Sequence, residues 1–349
     1  MTWTEVISPH DDLFHPTDGD PYWNEACLTT FRIPDRNLMC LFYFYFRPNQ
    51  KTAMAGPIIW DPTGDELSNC LYYAWDWHLP IPDGAEMFEF TLANGFSCHT
   101  IELQKSYRFT YEGPGCEIDV TFRATSEPHY MRLHNDDVNP GMFDYVKKVE
   151  QHTSGHYEHF GLMNGAMTIR GEKIDVIDAA VLRDHTWGPR PVRSNIDRMR
   201  GGYLYAQSPD GSTGFNIFSV SEYPIDEDPI EGTTETITSG FYQKDGIVGH
   251  VGQGTRRCLK RGPDGRPLKE VIDGVDEHGR ELHAEGTVHN WLRWPGLFGD
   301  VMVFWCYESW TFDGYVDAPG EIQDYMTYRH YRRFYDLRTG RIPHAAIAR

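Results

Sequence analysis

The sequence predicts an all-β protein built from two antiparallel β-barrel domains that pack together, with little helix. Short segments of alternating apolar and polar residues recur along the chain, turn signals separate them, and helical periodicity is scarce. With 349 residues, the chain is longer than one typical domain. We therefore predict one domain over residues 1–194 and a second over residues 195–349.

The turn signals combine Asp or Pro with Gly, as in Asp245-Gly246, Asp273-Gly274 and Asp313-Gly314. Between such signals lie alternating segments, for example "YRFTY" at 107–111 and "EIDVTFRAT" at 117–125. This pattern is typical of antiparallel meanders in barrels or sandwiches. The closing stretch over 321–335 fits either a helix or a strand.

Two segments are apolar on both faces of the predicted strand. The segment "LFYFYF" at 41–46 places Phe44 on one face and tyrosines on the other, and "VMVFWCYESW" at 301–310 does the same around Trp305. A strand covered on both faces lies between two packed units or in a barrel wall with something outside it. We therefore predict one such strand from each domain at the junction, with Phe44 and Trp305 as candidate substrate contacts.

Composition narrows the function classes. A net charge of −19 argues against nucleic acid and anionic membrane surfaces as partners. No apolar run is long enough for stable membrane insertion, and the first residues lack the pattern of a secretory signal. Seven scattered cysteines without CxxC spacing indicate reduced thiols and a cytoplasmic protein. The expected partner is a lipophilic small molecule, and a homodimer is left open.

A first candidate site is the histidine cluster in "HTSGHYEH", formed by His152, His156 and His159 with Glu158 beside them. Three imidazoles at this spacing could hold zinc or iron. The segment lacks the helical character of an HExxH motif, so histidines that line or cap a strand are the favoured interpretation. We expect no metal ion and no requirement for one in activity.

A second candidate is "YYAWDWHLPIP" at 72–82, in which alternation places Trp75 and Trp77 on one face. The favoured interpretation is a core strand that ends at a Pro-rich turn. The alternative is that Trp75 and Trp77 form the aromatic wall of a lipophilic substrate pocket.

The most specific candidate is "RDHTWGPR" at 183–190. In a continuous strand Asp184 and His185 point to opposite faces, so a bulge or turn is needed to bring them together. His185 and Trp187 share a face. A structural corner is one interpretation, with Asp184 capping turn amides and Trp187 filling the junction. An acid–base site is the other.

This octet, followed by "GGYLYAQSPDGSTGF", resembles the two-domain lipocalin-like family that contains the carotenoid hydratases (hydroxyneurosporene synthase) and the AttH-type proteins. The family's "DHSWG"-type pattern is matched by Asp184, His185, Trp187 and Gly188. The segment "YWNEACLTTFRIPD" is similar to the opening strand of the family's first barrel. The resemblance implies two lipocalin-like β-barrels. Fungal kievitone hydratase and some cofactor-free cyclases look like more distant relatives of this family.

In the carotenoid hydratases a His-x-Trp pair and a downstream Tyr-x-Asp pair are regarded as catalytic. His185 and Trp187 match the first pair, and "YLYAQ" offers Tyr203 or Tyr205 for the second. No Asp follows either tyrosine two places later. Asp184 or Asp210 would have to supply the acid, or the chemistry differs.

The resemblance implies a hydratase or dehydratase that needs no cofactor. It would act on an alkene or tertiary alcohol of an isoprenoid-like or other lipophilic substrate, through a carbocation at the domain junction. The preferred roles are Asp184 as acid, His185 as base or proton shuttle, and Trp187 and Tyr205 as rings around the cation. Trp75, Trp77, Tyr203, Phe44 and Trp305 are the expected substrate contacts. An isomerase or cyclase, or a non-catalytic carrier of lipophilic ligands, is the alternative.

Overall fold

The computed structural model describes residues 7–131, 155–190 and 200–341, apart from positions 18, 222, 224–226, 229–230 and 298. Strands dominate these residues, and the α-helix over Tyr328–Arg338 is short. No helix in the described part of the chain is long and apolar enough to cross a lipid bilayer. The all-β prediction is confirmed.

The first unit is an antiparallel sheet in the N-terminal half of the chain. Its twelve strands in the described residues are β1 (Trp23–Ile33), β2 (Leu38–Arg47), β3 (Thr52–Trp60), β4 (Tyr72–Tyr73), β5 (Asp76–Pro80), β6 (Phe90–Thr91), β7 (Ser97–Glu102), β8 (Ser106–Gly113), β9 (Cys116–Ala124), β10 (His129–Tyr130), β11 (Gly155–Ile169) and β12 (Glu172–Pro189). The hydrogen-bonded path runs β4-β3-β2-β1-β12-β11-β9-β8-β7-β6, with β5 paired to β3 and β10 to β11. Short 3-10 helices cover Pro9–Asp12, Pro34–Arg36 and Pro48–Gln50.

The second unit is a closed antiparallel barrel. Its eight strands in the described residues are β13 (Arg200–Gln207), β14 (Gly214–Val220), β15 (Thr234–Lys244), β16 (Ile247–Arg261), β17 (Pro267–Asp276), β18 (Glu281–Pro295), β19 (Val301–Phe312) and β20 (Tyr315–Thr327). Helix α1 (Tyr328–Arg338) follows, and the Thr327 hydroxyl caps it by accepting the His330 N–H at 3.3 Å. The stretch over 321–335 is therefore strand first and helix afterwards.

Two of the predicted turn pairs connect neighbouring strands. Asp245 and Gly246 join β15 to β16 with φ values of 54° and 72°, and Asp313-Gly314 does the same between β19 and β20. Positive φ at both positions suits the right-handed twist of the flanking strands. The prediction of a turn at Asp273-Gly274 is wrong, because this pair lies inside β17. Gly274 there faces Gly254 of β16, beside an irregularity in the strand register.

The two doubly apolar segments lie at the junction, as predicted. On β2, Phe44 faces the core of the first sheet, whereas Tyr43 packs in a cluster that also contains Trp305. On β19, Trp305 faces the first sheet and Phe304 faces the barrel core. The junction is thus a third apolar core between the sheet and the barrel.

The first sheet ends at Pro189 and the barrel begins at Arg200. The boundary predicted between residues 194 and 195 lies outside the described residues and stays a prediction. All seven cysteines are buried and unpaired, in agreement with the expectation of reduced thiols.

Trp305 is fully buried in the junction, with ring centroids 6.1 Å from Trp294 and 6.5 Å from Trp60. We expect Trp305→Ala to lower the free energy of unfolding by about 3–5 kcal/mol, because the lost ring leaves a cavity that both units line. Urea denaturation followed by circular dichroism measures this loss. Trp77→Ala is the control, because 48% of the Trp77 surface is exposed. Equal losses in both variants would contradict a packed junction.

Candidate functional site

Strand β12 carries the octet, and its register determines where each side chain points. Arg183 pairs with Thr29 of β1 and Thr186 pairs with Ala26, so the register is the same on both sides of Asp184 and His185, and the ladder with β11 runs through both residues without a bulge. Successive side chains of a strand alternate between its faces. His185 therefore faces the interior of the first sheet, and Asp184 faces the barrel. The structure does not bring these two predicted catalytic groups together.

On the interior face, His185 is paired with Glu25 of β1. The His185 Nε2 and Glu25 Oε2 atoms are 3.2 Å apart, and both side chains are fully buried. Glu25 Oε2 also lies 3.2 Å from His15 Nδ1, and its Oε1 accepts the Trp23 indole N–H at 3.1 Å. Burial opposes ionisation of Glu25, but the His15 and His185 contacts outweigh it and lower the pKa of this carboxyl. Glu25 is therefore a carboxylate at neutral pH.

Trp187 lies on the same face and stacks on His15. Their ring planes are 9° apart with centroids separated by 4.0 Å, and the His185 and Trp187 centroids are 5.2 Å apart. Gly155 of β11 is opposite Trp187, and a Cβ at this position would lie 2.2 Å from the indole ring. Only glycine leaves the indole this space without a shift. The predicted pairing of His185 with Trp187 is therefore observed.

A buried ion pair lies next to this group. Arg183 Nη2 donates to Asp12 Oδ1 at 2.9 Å, and the Tyr107 and Tyr157 hydroxyls also donate to the Asp12 carboxylate. The Arg183 guanidinium lies over the Phe88 and Tyr107 rings, 4.2 and 4.3 Å from their centroids. Burial opposes ionisation of Asp12, but Arg183 and the two hydroxyls outweigh it and lower its pKa to about 2.

Asp12 and His15 belong to an N-terminal segment that lies across the interior face. The 3-10 helix Pro9–Asp12 is fixed by Asp12, and the Gln104 side-chain amide donates to the Ser8 carbonyl at 2.6 Å. Ile7 packs against the aromatic cluster that includes Trp187. The segment over residues 7–16 thus separates the His185–Glu25 pair from solvent.

A second polar group occupies the opposite face of β12, at the junction with the barrel. His156 Nε2 lies 2.8 Å from Glu158 Oε1 and 3.6 Å from Asp184 Oδ2. The Tyr203 hydroxyl of β13 donates to Glu158 Oε2 at 2.7 Å, and the Leu28 N–H donates to Asp184 Oδ1 at 2.5 Å. Residues of the first sheet and of the barrel therefore form this group together.

Burial and charge perturb the pKa values of the junction group. Burial raises the pKa of Glu158 to about 7, even though His156 opposes this shift. For His156, burial disfavours the cation, but Glu158 and Asp184 outweigh it and raise the pKa to about 9. Such shifts are common at functional sites.

Tyr205, the predicted ring at the cation, is also on the junction side. Its hydroxyl lies 2.9 Å from Arg32 Nη1 and from the Thr30 hydroxyl, and it accepts the Leu182 N–H at 3.2 Å. The Arg32 guanidinium covers the Tyr205 ring at 4.5 Å. Tyr205 is thus fixed against β1 and β12 and does not reach His185.

The predicted substrate contacts are spread over several places. Phe44 lies in the core of the first sheet, and Trp305 and Trp75 lie in the junction core. Trp77 is exposed but contacts Trp75, with ring centroids 4.5 Å apart. Tyr203 belongs to the junction group. The structure brings Trp75 and Trp77 together, as alternation predicted, but not with His185.

Two groups in the described residues offer three potential metal ligands each: His15, Glu25 and His185 inside the sheet, and His156, Glu158 and Asp184 at the junction. In the first group, His15 and His185 both hydrogen-bond to Glu25. The predicted trio of histidines does not form a site of its own. His159 faces the other side of β11 from His156, with its Nε2 atom 2.6 Å from the Ser126 carbonyl, and His152 lies outside the described residues.

Sequence reasoning missed Glu25, His15 and Asp12. Glu25 left a signal, because alternation places this charged residue on a strand face with Trp23, Cys27 and Phe31. The sequence analysis treats His156 and Glu158 only as parts of a histidine cluster, although alternation alone places these two residues on one face of the strand. No local pattern marks Asp12 or His15, since their partners are far away in the sequence.

Comparisons with known proteins identify one family of unknown function and two proteins of similar structure. The family described as "Domain of unknown function (DUF7064)" matches residues 8–315. Sequence comparison with curated proteins finds no match. Kievitone hydratase from Nectria haematococca has a similar structure, with a TM-score of 0.56, 11% identity, and 93% of this chain and 94% of that chain covered.

An AttH-like protein from Nitrosomonas europaea is also similar in structure. Its TM-score is 0.51 at 13% identity, with 92% of this chain and 96% of that chain covered. Both likenesses extend over nearly the whole chain at low identity. They confirm the lipocalin-like, two-unit fold that the resemblance implied.

The ion pair of Asp12 and Arg183 yields a stability prediction. Asp12→Asn should lower the free energy of unfolding at pH 7 by about 3–5 kcal/mol, because it leaves the Arg183 guanidinium buried without its counter-ion. Since the folded-state pKa of Asp12 lies below the unfolded value, its contribution is present above about pH 4 and is lost toward pH 2. Urea titrations of both proteins should therefore show a difference that shrinks as the pH falls through this window.

The exposed pair of Arg108 and Asp119 supplies the control. Asp119→Asn should change the free energy of unfolding by no more than about 1 kcal/mol, because solvent screens a surface ion pair. A loss for Asp12→Asn that is as small as this, or one that does not depend on pH, would show that the buried pair does not hold the segment.

Proposed function

The chain belongs to the family described as domain of unknown function DUF7064, and we propose that it is a cofactor-independent hydratase or dehydratase. The proposed substrate is an alkene or tertiary alcohol of a lipophilic, isoprenoid-like molecule. The observation that carries the proposal is a buried carboxylate–imidazole pair, Glu25 and His185, in a fold shared with kievitone hydratase. Fold alone does not fix an activity, so the proposal rests on the chemistry of this pair.

The pair is arranged for proton transfer. The Glu25 carboxylate at His185 Nε2 favours the tautomer with its proton on Nε2 and stabilises the imidazolium. His185 Nδ1 is buried and has no hydrogen-bond partner in the described residues. A ring nitrogen in this situation is available to exchange a proton with a bound molecule. We assign both proton steps to His185, and Glu25 positions it.

In the hydration direction, the imidazolium delivers its Nδ1 proton to one alkene carbon and leaves a carbocation at the other. Water adds to the cation, and His185 Nδ1 takes a proton from the resulting oxonium, so the product is the alcohol and the imidazolium is restored. Dehydration runs through the same steps in reverse. His185 makes both proton transfers while Glu25 positions it, so the chemistry needs no cofactor.

Trp187 is the ring best placed beside the reacting group, because its centroid is 5.2 Å from that of His185. The faces of Phe88 and Tyr107 already host the Arg183 guanidinium. Because Arg183 already occupies these ring faces, the two rings do not stabilise a carbocation in addition. The negative charge of Glu25, beside His185, supplies further stabilisation of the cation. Asp184 and Tyr205 have no part in this scheme, since they lie across β12.

A substrate reaches His185 only if the N-terminal segment moves. His185 and Glu25 are fully buried, whereas the His15 side chain above them is 15% exposed. His15 and the Trp187 ring that stacks on it mark the entry point. In this scheme the segment over residues 7–16 opens to admit a lipophilic chain and closes to exclude bulk water from the cation.

The proposal is tested by product mass after incubation with prenyl-type alkenes and tertiary alcohols. Gain or loss of one water is expected, and hydration in ¹⁸O-labelled water should place the label in the alcohol. We expect His185→Gln to reduce turnover about a hundredfold or more, the scale of lost general acid–base help. Glu25→Gln should reduce it as well, because it removes the charge that positions and stabilises the imidazolium.

His99→Gln is the matched control, since His99 also contacts a glutamate, Glu89, but is exposed at the surface. It should retain wild-type turnover. Unchanged mass with altered retention would indicate an isomerase or cyclase, and recovery of unchanged substrate would indicate a carrier. Full turnover in folded His185→Gln protein would rule out the dyad.

A further inference from the structure

We propose that the junction group of His156, Glu158 and Asp184 is a binding site for one divalent transition-metal ion, with Zn²⁺ as the best match. The three side chains extend from neighbouring strands of the first sheet. Glu158 and Asp184 are directly opposite each other in the β11–β12 ladder, and His156 lies two residues before Glu158 on the same face. This inference is independent of the proposed function, which uses the other face of β12.

The first argument is the convergence of the ligand atoms. One potential ligand atom from each residue lies within 4.8 Å of the other two. His156 Nε2 lies 2.8 Å from Glu158 Oε1 and 3.6 Å from Asp184 Oδ2, so one nitrogen and one oxygen of each carboxylate are gathered around a small space. Ligands about 2.1 Å from one ion and roughly 90–110° apart lie roughly 3.0–3.4 Å from each other.

The second argument concerns the other oxygen of each carboxylate, which accepts a hydrogen bond from outside the group. Glu158 Oε2 accepts the Tyr203 hydroxyl at 2.7 Å, and Asp184 Oδ1 accepts the Leu28 N–H at 2.5 Å. Each carboxylate thus has one oxygen fixed by an outer donor and the other left toward this small space. Outer hydrogen bonds of this kind orient the ligands of protein metal sites.

The interior group of His15, Glu25 and His185 has the same number of candidate ligands but a different arrangement. Both imidazoles hydrogen-bond to the same oxygen, Glu25 Oε2, at 3.2 Å, so this group has a single carboxylate that two imidazoles already share. The junction group instead brings two carboxylates, Glu158 and Asp184, together at one imidazole. Two carboxylates this close repel each other, and a bound cation relieves that repulsion.

The ligand set and its surroundings determine the class of ion. One imidazole and two carboxylates suit Zn²⁺ and its first-row neighbours better than Mg²⁺ or Ca²⁺, which prefer oxygen ligands alone. The His156 and Asp184 side chains are 15% and 16% exposed, so solvent reaches the group from one side. Three protein ligands leave a position open for water. Because Tyr203 comes from the barrel, the ion would also stabilise the contact between the two units.

The test is metal stoichiometry of the full chain after removal of metals with a chelator and titration with Zn²⁺ or Co²⁺. We expect one ion per chain by elemental analysis after desalting, with the visible absorption of low-symmetry Co²⁺ and a raised thermal midpoint. His156→Gln and Glu158→Gln should abolish this binding. His283→Gln is the matched control, because His283 also lies between two carboxylates, Asp273 and Glu285, but at the surface; it should keep the stoichiometry.

Tyr203→Phe keeps the test decisive if His156→Gln or Glu158→Gln fails to fold. It removes only the hydroxyl that fixes Glu158, so one ion should still bind, with affinity about ten- to hundredfold lower. Unchanged affinity in this variant would overturn the proposal. So would loss of the ion in Glu25→Gln but not in Glu158→Gln, which would move the site to the interior group. Absence of stoichiometric binding in the wild-type chain would overturn it directly.

Discussion

The arrangement of this protein depends on the two-residue alternation of β12, which is buried on both faces over residues 179–189. One face belongs to the interior of the first sheet and the other to the junction with the barrel. Because the ladder with β1 and β11 has no bulge over the octet, adjacent residues are committed to different environments. His185 and Asp184 are covalent neighbours but belong to different sites.

The interior face of the first sheet holds two buried charged groups that have different partners. The Arg183 guanidinium is matched by Asp12 and by ring faces, and Asp12 in turn ties the N-terminal segment to the sheet. Glu25, in contrast, is held by two imidazoles and an indole N–H. The first pair ties the segment over residues 7–16 to the sheet, whereas the second is the pair to which we assign the proposed proton transfer. This difference in partners separates a structural ion pair from a candidate acid–base pair on the same face.

Much of the fold could be predicted from the sequence, because it depends on local chemistry. Turn pairs such as Asp313-Gly314 and doubly apolar strands around Phe44 and Trp305 were sufficient to predict antiparallel units with a buried junction. Asp273-Gly274 failed as a turn because a glycine in a strand can equally mark a close approach of neighbouring backbones. The shared face of His185 and Trp187 also followed from alternation alone.

The partners within the site could not be predicted in this way. His185 meets Glu25 across 160 residues of sequence, and Asp12 meets Arg183 across 171, so no spacing rule connects them. The conflict between Asp184 and His185 was visible in the sequence, but only the register could show that no bulge resolves it. His156 and Glu158 illustrate the same limit, since their third neighbour, Asp184, arrives from another strand.

The central claim, that β12 separates two independent polar groups, is tested most directly by double-mutant cycles on the free energy of unfolding. The account predicts that Glu25→Gln and His185→Gln, distant in sequence, couple by at least about 0.5 kcal/mol, because they form one hydrogen-bonded pair. It predicts that Asp184→Asn and His185→Gln, adjacent in sequence, are additive within about 0.5 kcal/mol. Strong coupling between Asp184 and His185 with none between Glu25 and His185 would contradict it.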